Sequence, residues 1–371
     1  MRRFDAIVIG GGLVGSAIAY GLARAGLDCA LVDEGDVAYR ASRGNFGLVW
    51  VQSKGLGAPH YQRWSRLSSE EWPGLAAELG ERTGIDVGHE RKGGVQLCLS
   101  EAEFDNRRAM MQQMQAEAGN FGFEYRMLDR RELADILSGL GPTVVGGSWT
   151  PYDGHAGSLA LLHALHKGFL GKRGTYLPMR TVADASVAPG DFRLGFGAEE
   201  IAAPKIVLAA GLGNAKLAPL FGLSAPVRPQ RGQILVTERA SRIWPIPLGS
   251  LRQTQEGTIM LGSSEEDVGF DTGQKPEIMR NIARRAVLSF PWIAELQIVR
   301  AWAALRVMPA DGLPIYDESE QFPGAFTANC HSGVTLAGAH ANAFAPMIAA
   351  DALDPMLTPF SAERFDVPAA A

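Results

Sequence analysis

The residues able to do chemistry fall in three places. Gly10, Gly12 and Gly15 spell G-x-G-x-x-G around Leu13 and Val14, and Asp33 follows after the next apolar run. At this spacing Gly10 permits a tight turn, Gly12 lets backbone approach a pyrophosphate, and Gly15 lets a helix press on a strand. The helix that follows offers N–H groups and a partial positive charge to the phosphates. Asp33 is positioned to accept hydrogen bonds from both ribose hydroxyls; Glu34, which should face solvent, is the poorer ribose candidate. The second place is Arg306, which ends the apolar stretch Ala301-Trp302-Ala303-Ala304-Leu305. A guanidinium among small apolar residues needs a partner. Its planar fork suits a substrate carboxylate, and a salt bridge to Asp311 would satisfy it as well. The third is Cys330-His331-Ser332-Gly333-Val334-Thr335, leading into the apolar run 334–350. Read as a helix, that run would point its positive end and the N–H groups of Ser332, Gly333, Val334 and Thr335 at whatever lies above; a glycine-initiated helix with no ligand fits the same residues.

Histidines and cysteines add less. His331 either shapes the site or packs. His155, in Tyr152-Asp153-Gly154-His155, is a candidate for a substrate pocket, whereas His60, His89, His163, His166 and His340 read as ordinary surface or helix residues. Cys330 reads as a small buried hydrophobe. Adjacent Cys330 and His331 do not make a metal site, and no metal is expected.

These side chains must be held by recognisable elements. Ala6–Ile9 is β-branched and apolar, as a strand buried on both faces would be, and Cys29–Val32 repeats the pattern after a helical stretch. The loop 41–49 is polar and glycine-rich. In it Ser42 and neighbouring N–H groups are able to hold a pyrophosphate, while Gly44 and Gly47 would leave room for a flat ring; a plain surface loop reads equally well, and Arg43, Asn45 and Leu48 are the further contact candidates in it. Val182 precedes a strand, as an ordinary strand residue or as one that a ligand meets through its backbone. Ala210 and Gly211 end the strand Ile206-Val207-Leu208-Ala209, small enough for close passage by a nucleotide or for a tight turn. Alternation in 232–237 and Thr258–Gly262 suits an antiparallel sheet, and Glu101–Ala118 and Pro276–Ser289 are amphipathic helices able to cover one face of it.

Composition sets outer limits. The 371 residues favour two domains, and 46% hydrophobic with 20% charged residues is an ordinary globular balance. A net charge of −5 gives no reason to expect nucleic acid. Three cysteines without CxxC spacing argue against an iron–sulfur cluster, structural zinc or a secreted disulfide framework, and fit a reducing cytoplasm. Arg2 and Arg3 precede an apolar run, but glycines interrupt it and no cleavage site follows, so no signal peptide is expected. The run 334–350 is too short and too polar for a membrane span. The Ala-rich tail after Val367 looks frayed.

In order and spacing these segments resemble the D-amino-acid oxidase superfamily of FAD-dependent oxidoreductases. The resemblance rests on the glycine motif, the 41–47 loop, Thr181-Val182, 206–211 and Val227-Arg228-Pro229-Gln230-Arg231-Gly232-Gln233. It continues through Leu305-Arg306, Pro309-Ala310-Asp311-Gly312-Leu313-Pro314 and 329–336. Within it, 42–51 and 330–336 look most like flavin β subunits of opine and D-hydroxyproline dehydrogenases, and like a hydrogen cyanide synthase subunit. The resemblance implies an α/β (α+β) fold: a Rossmann-like FAD-binding domain from 1–80, 145–215 and 302–371, and a substrate domain with a mainly antiparallel sheet from 81–144 and 216–301. It implies non-covalent FAD contacted by the residues named above, Arg306 on the substrate carboxylate, and the 332–335 turn at the flavin N1–C2=O edge. His155 is followed by Ala156-Gly157 where related β subunits often have Asn-Pro, which weakens its implied role. The implied reaction is hydride transfer from Cα–H of a D-amino acid or N-substituted amino acid to flavin N5, giving an imino acid that water hydrolyses. Partner redox subunits or a homo-oligomer, and a cytoplasmic place peripheral to the inner membrane if coupled to respiration, complete the expectation. A nicotinamide dehydrogenase built on the same motif and a catalytically silent flavoprotein are the competing readings.

Overall fold

The computed structural model describes residues 1–35, 41–182 and 184–366; the tail after Val367 lies outside them. Its centre is a six-stranded sheet in the order Ile315–Glu318, Ala325–Asn329, Lys205–Leu208, Ala6–Ile9, Cys29–Val32, Thr175–Leu177. All neighbours are parallel except Ile315–Glu318, which returns antiparallel beside Ala325–Asn329. Ala6 and Val8 point into one core with Ile18 and Leu22 of helix Leu13–Arg24. Ile7 and Ile9 point into the other, against Phe192 and Leu194 of a second, four-stranded sheet. Burial on both faces explains the unbroken apolar run at Ala6–Ile9.

The remaining sheets are antiparallel. One runs Leu251–Gln253, Thr258–Gly262, Val227–Arg239, Ile298–Pro309. Another joins Gly94–Cys98, Gly146–Thr150 and Arg126–Asp129. Because side chains alternate along a strand, Leu235, Leu251, Ile259 and Leu261 face helix Pro276–Ser289 and form a core with Ile282 and Ala286. The opposite face of the larger sheet carries Trp302, Ala304 and Arg306 and looks toward the glycine-rich 41–47 loop: Trp302 Nε1 donates to the Gly44 carbonyl at 3.2 Å.

The last helix differs from the sequence expectation. Residues 332–336 form turns, and the helix begins at Ala337, passes through a π-helical stretch His340–Phe344 and ends as Ala345–Ala349. The carbonyls of Val334 and Thr335 are drawn away by the Trp72 indole, at 3.0 and 3.2 Å, and the Thr335 carbonyl also accepts from Ser68 at 2.7 Å. The Val334 carbonyl keeps a bond from Ala337 N at 3.2 Å, while Ala339 N, the donor a regular helix would aim at the Thr335 carbonyl, goes to Ser68 Oγ at 2.9 Å on helix Pro59–Thr83. The π turn precedes Pro346, which lacks an N–H and whose ring excludes a normal bond to Asn342. His340, read as an ordinary helix residue, is fully buried there and bonded to the Tyr316 hydroxyl at 2.8 Å.

Candidate functional site

At the glycine motif the sequence dictates the geometry closely. Gly10 has φ +111°, and a Cβ there would sit 2.3 Å from the Ala209 carbonyl oxygen. A Cβ on Gly15 would sit 1.9 Å from the Gly10 oxygen, so only glycine lets the helix meet the strand. Asp33 closes the motif: its carboxylate accepts from Gly11 N at 2.7 Å and Gly35 N at 2.9 Å. Gly12 caps helix Leu13–Arg24, and Leu13 N donates to Ser42 Oγ at 2.8 Å, which brings the 41–47 loop onto the helix N-terminus. Val14 continues that first turn, and Glu34 follows Asp33 with partial exposure to solvent. Beneath the loop, His166 Nε2 lies 3.0 Å from the Gly11 carbonyl and 2.8 Å from Ser16 Oγ. Nothing beside it in sequence marks this bracing histidine, because its partners lie far away along the chain.

Around this motif lie the other residues expected at the cofactor. The Asp33 N–H donates to the Leu177 carbonyl at 3.1 Å and Arg180 N to the Asp33 carbonyl at 2.9 Å, so the chain leading to Val182 runs beside the acid. Ala210 and Gly211 (φ +60°) end strand Lys205–Leu208 next to Gly10. In the 41–47 loop, Asn45 Oδ1 accepts from Gly47 N at 2.8 Å, and Leu48 pairs with His155. Arg43 lies in this loop and is exposed. The two loop glycines depart from the sequence expectation. Gly44 and Gly47 do not open room for a flat ring: a Cβ on Gly44 would meet Ala304 at 2.4 Å, and one on Gly47 the Ala156 carbonyl at 2.4 Å. They let protein approach the loop.

The structure brings Arg306 and His331 together with Lys54, a residue not singled out from sequence. Arg306 Nη1 donates to the Ser264 carbonyl and Nη2 to Ser263 Oγ, both at 2.9 Å. No carboxylate pairs with it among the described residues; Asp311 pairs instead with Arg364 at 2.8 Å. Lys54 Nζ lies 2.7 Å from His331 Nε2. An ammonium can only donate, so the ring proton belongs on Nδ1, which is buried without an acceptor among the described residues. Burial lowers the Lys54 ammonium to about 8, with Arg306 adding to the effect. Burial also depresses Arg306 and, well below its usual range, His331, which feels both cations. Beside them, the N–H groups of Gly333, Val334 and Thr335 find no acceptor among the described residues, while Ser332 and Thr335 are held by Tyr61 and by Trp50 N. Cys330 is buried, and burial pushes its thiol to about 12.

His155 stands apart from this cluster. Its Nδ1 accepts from Arg252 Nε at 3.1 Å, and Arg252 Nη1 reaches the Phe46 carbonyl at 3.1 Å. Both are buried. Burial takes His155 down to about 3 and Arg252 to about 10, so the pair acts as a neutral ring supporting a cation under the 41–47 loop.

A second missed network shapes the segment that carries Lys54. Asp153 is fully buried and accepts from Val51 N at 2.6 Å, Gln52 N at 3.2 Å and Gln52 Nε2 at 2.5 Å. Arg107 then binds the Gln52 side-chain oxygen and Ser148 Oγ. Burial lifts the Asp153 carboxyl from 3.8 to about 7 against the pull of these donors. The folded chain therefore binds more protons than the unfolded one between those values, and the contribution of protonated Asp153 to stability is lost as pH rises through about 7. The melting temperature of the wild type should fall more steeply than that of Asp153→Asn between about pH 5 and about pH 8. Parallel melting curves would contradict this.

Among the described residues no group of three His, Cys, Asp or Glu is arranged to hold a metal, and no helix is long and apolar enough to cross a membrane. The cradle fits a flavin dinucleotide: a closed glycine turn with an acid at its edge, and a distant turn whose N–H donors lack acceptors among the described residues, beside an arginine that has no carboxylate partner among them.

Comparison with known proteins agrees. A family model described as FAD-dependent oxidoreductase (DAO) matches residues 5–347. An opine oxidase subunit of Agrobacterium tumefaciens is 45% identical over 365 residues, spanning 98% of each chain. Glycine oxidase of Geobacillus kaustophilus is 26% identical over 90% of each. The crystal structure of glycine oxidase from Geobacillus kaustophilus superposes with a TM-score of 0.86 at 24% identity, covering 97% of this chain and 98% of that one. The nicotinamide reading of the glycine motif is thereby set aside. The chain belongs to the DAO family of FAD-dependent oxidoreductases, and its cofactor is FAD.

Proposed function

We propose that this enzyme oxidises the C–N bond of an amino acid, with an N-substituted amino acid as the preferred substrate, by removal of the Cα hydride. The observation that carries the reading is Arg306, a half-buried guanidinium on an apolar strand with no carboxylate partner among the described residues. A substrate carboxylate meets its fork with two parallel bonds and fixes which hydrogen on Cα faces the cofactor. FAD, when bound non-covalently, supplies the two-electron acceptor. The N–H groups of Gly333, Val334 and Thr335 would hold the flavin N1–C2=O edge, where negative charge gathers, so their orphaned state in the protein is spent on the transition state. Gly10, Gly12, Leu13, Val14, Gly15, Asp33, Glu34, Ser42, Arg43, Asn45, Gly47, Leu48, Val182, Ala210, Gly211 and Ser332 would form the rest of the FAD contact. Neutral His331 shapes the site, and His155 positions the 41–47 loop through Arg252. The two domains would divide as 1–80, 145–215 and 302–371 against 81–144 and 216–301, with strands Gly146–Thr150 and Ile298–Pro309 joining the second group by their pairing.

Anaerobic mixing with D-amino acids, glycine derivatives, D-hydroxyproline and opines tests the reading: bleaching of the flavin by at least one of these is expected, and a flavin that none bleaches would sink it. A second reading concerns electron delivery. The 45% identity to a protein named as one subunit of an oxidase supports a chain that hands electrons to partner subunits, in the cytoplasm and at the inner membrane surface where these couple to respiration. The purified chain alone should then reduce an artificial dye faster than O2; a fast reaction with O2 would favour a free-standing oxidase.

A further inference from the structure

The arginines that neighbour Arg306 on the larger antiparallel sheet are closed by acids. Arg231 pairs with Glu266 at 2.7 Å and Asp271 at 2.6 Å, and Arg228 pairs with Asp267. Arg306 and Lys54 are not: neither has a carboxylate within ion-pair distance among the described residues. Two acids act on Lys54 from further off, exposed Glu265 and, from behind, buried Asp153. Glu265 also faces Arg306. The Lys54 ammonium is half-buried and held by an uncharged acceptor, His331 Nε2, on the segment that Asp153 and Arg107 fix from behind. Holding a cation next to another cation and away from counter-ions is costly unless an anion arrives. One carboxylate occupies Arg306 and leaves Lys54 uncompensated.

We propose that Lys54 is a second anion anchor, which receives a further carboxylate of the substrate on the other side of its amine from the one held by Arg306. The preferred substrate is then a secondary amine flanked by two carboxylates, an N-(carboxyalkyl) amino acid. This deepens the proposed C–N oxidation and rests on it. Charge balance agrees where the buried Asp153 carboxyl is protonated: two carboxylates and an ammonium sum to one negative charge, and Lys54, Arg306 and Glu265 to one positive. The residue types agree as well. A rigid fork suits the carboxylate that must orient Cα, and a point charge on a flexible stem suits an outer arm of variable length.

The test uses the FAD-loaded protein under argon and a matched pair, N-(1-carboxyethyl)alanine and N-isopropylalanine, in which a methyl replaces one carboxyl group. The measurement is the concentration that half-saturates the change in flavin absorbance. The wild type should favour the dicarboxylate by about tenfold or more, Lys54→Met and Lys54→Gln should lose about that factor, and Lys54→Arg should keep most of it. Equal response of the wild type to both compounds, or a preference intact in Lys54→Met and Lys54→Gln, overturns the Lys54 anchor and leaves C–N oxidation standing. No response of the wild type to either compound counts against C–N oxidation itself and takes the anchor with it.

Discussion

Replacing Arg306 with alanine is expected to raise the substrate concentration that half-saturates flavin reduction by about a hundredfold, while the protein keeps its FAD. Two charge-assisted hydrogen bonds at roughly 1.5 kcal/mol each amount to about 3 kcal/mol, or two powers of ten. The cofactor should stay because, among the described residues, Arg306 bonds only to the Ser264 and Arg231 carbonyls and Ser263 Oγ, away from the glycine motif. Arg306→Lys should fall between wild type and alanine, since an ammonium keeps the charge but loses the bidentate geometry. A purely structural arginine behaves otherwise: stability or FAD content drops, and the concentration dependence stays where it was. That result would remove Arg306 from the substrate site.

Gly15→Ala is expected to yield protein that is mostly free of FAD or fails to fold. The new methyl would lie 1.9 Å from the Gly10 carbonyl oxygen and 3.2 Å from the Ala209 side chain, and the nearest obstacle is backbone that cannot rotate away. Relief requires helix Leu13–Arg24 to lift from strand Ala6–Ile9, at ~3 kcal/mol or more. Lifting the helix also pulls Leu13 N from Ser42 Oγ and Gly11 N from the Asp33 carboxylate, the contacts that shape the dinucleotide cradle. Gly74→Ala is the matched control. Gly74 lies in helix Pro59–Thr83 with nothing within 4 Å of its would-be Cβ, so alanine should stabilise by up to ~1 kcal/mol through helix propensity. Flavin absorbance per mole of protein and melting temperature read both variants; a Gly15→Ala protein with full FAD would refute the packing argument.

What could be read from sequence was whatever chemistry lies within one short stretch. The glycine motif is legible because strand, turn, helix and acid follow one another, and Arg306 because a charge stands out in an apolar strand. Lys54 gave no such signal, since its meaning depends on His331 and Arg306, which arrive from the far end of the chain. The Gly44 and Gly47 contacts were misread for a related reason: the atoms filling those spaces belong to Ala304, Ala156 and Arg252. The last helix starts later than its composition suggests because Ser68, on another helix, stands between the Thr335 carbonyl and Ala339 N and bonds both, with Trp72 also donating to the Val334 and Thr335 carbonyls. Asp153 looks like a turn residue until the fold buries it under Val51 and Gln52. In each case the missing information is a tertiary contact, and local pattern cannot contain it.

Strand Ile298–Pro309 presents Trp302, Ala304 and Arg306 in alternation on one face, and its pairing with Val227–Arg239 keeps an unbroken register from Val227 to Val236. Trp302 and Ala304 set the position of the 41–47 loop, and in the proposed reaction Arg306 sets the substrate. One rigid ruler would then measure both reactants, so any bend or slip of the strand would carry the 41–47 loop and the proposed carboxylate anchor together and preserve the gap between them. New substrates are then gained by changing what surrounds the ruler, as at Lys54 or Ser263, while the ruler itself stays fixed.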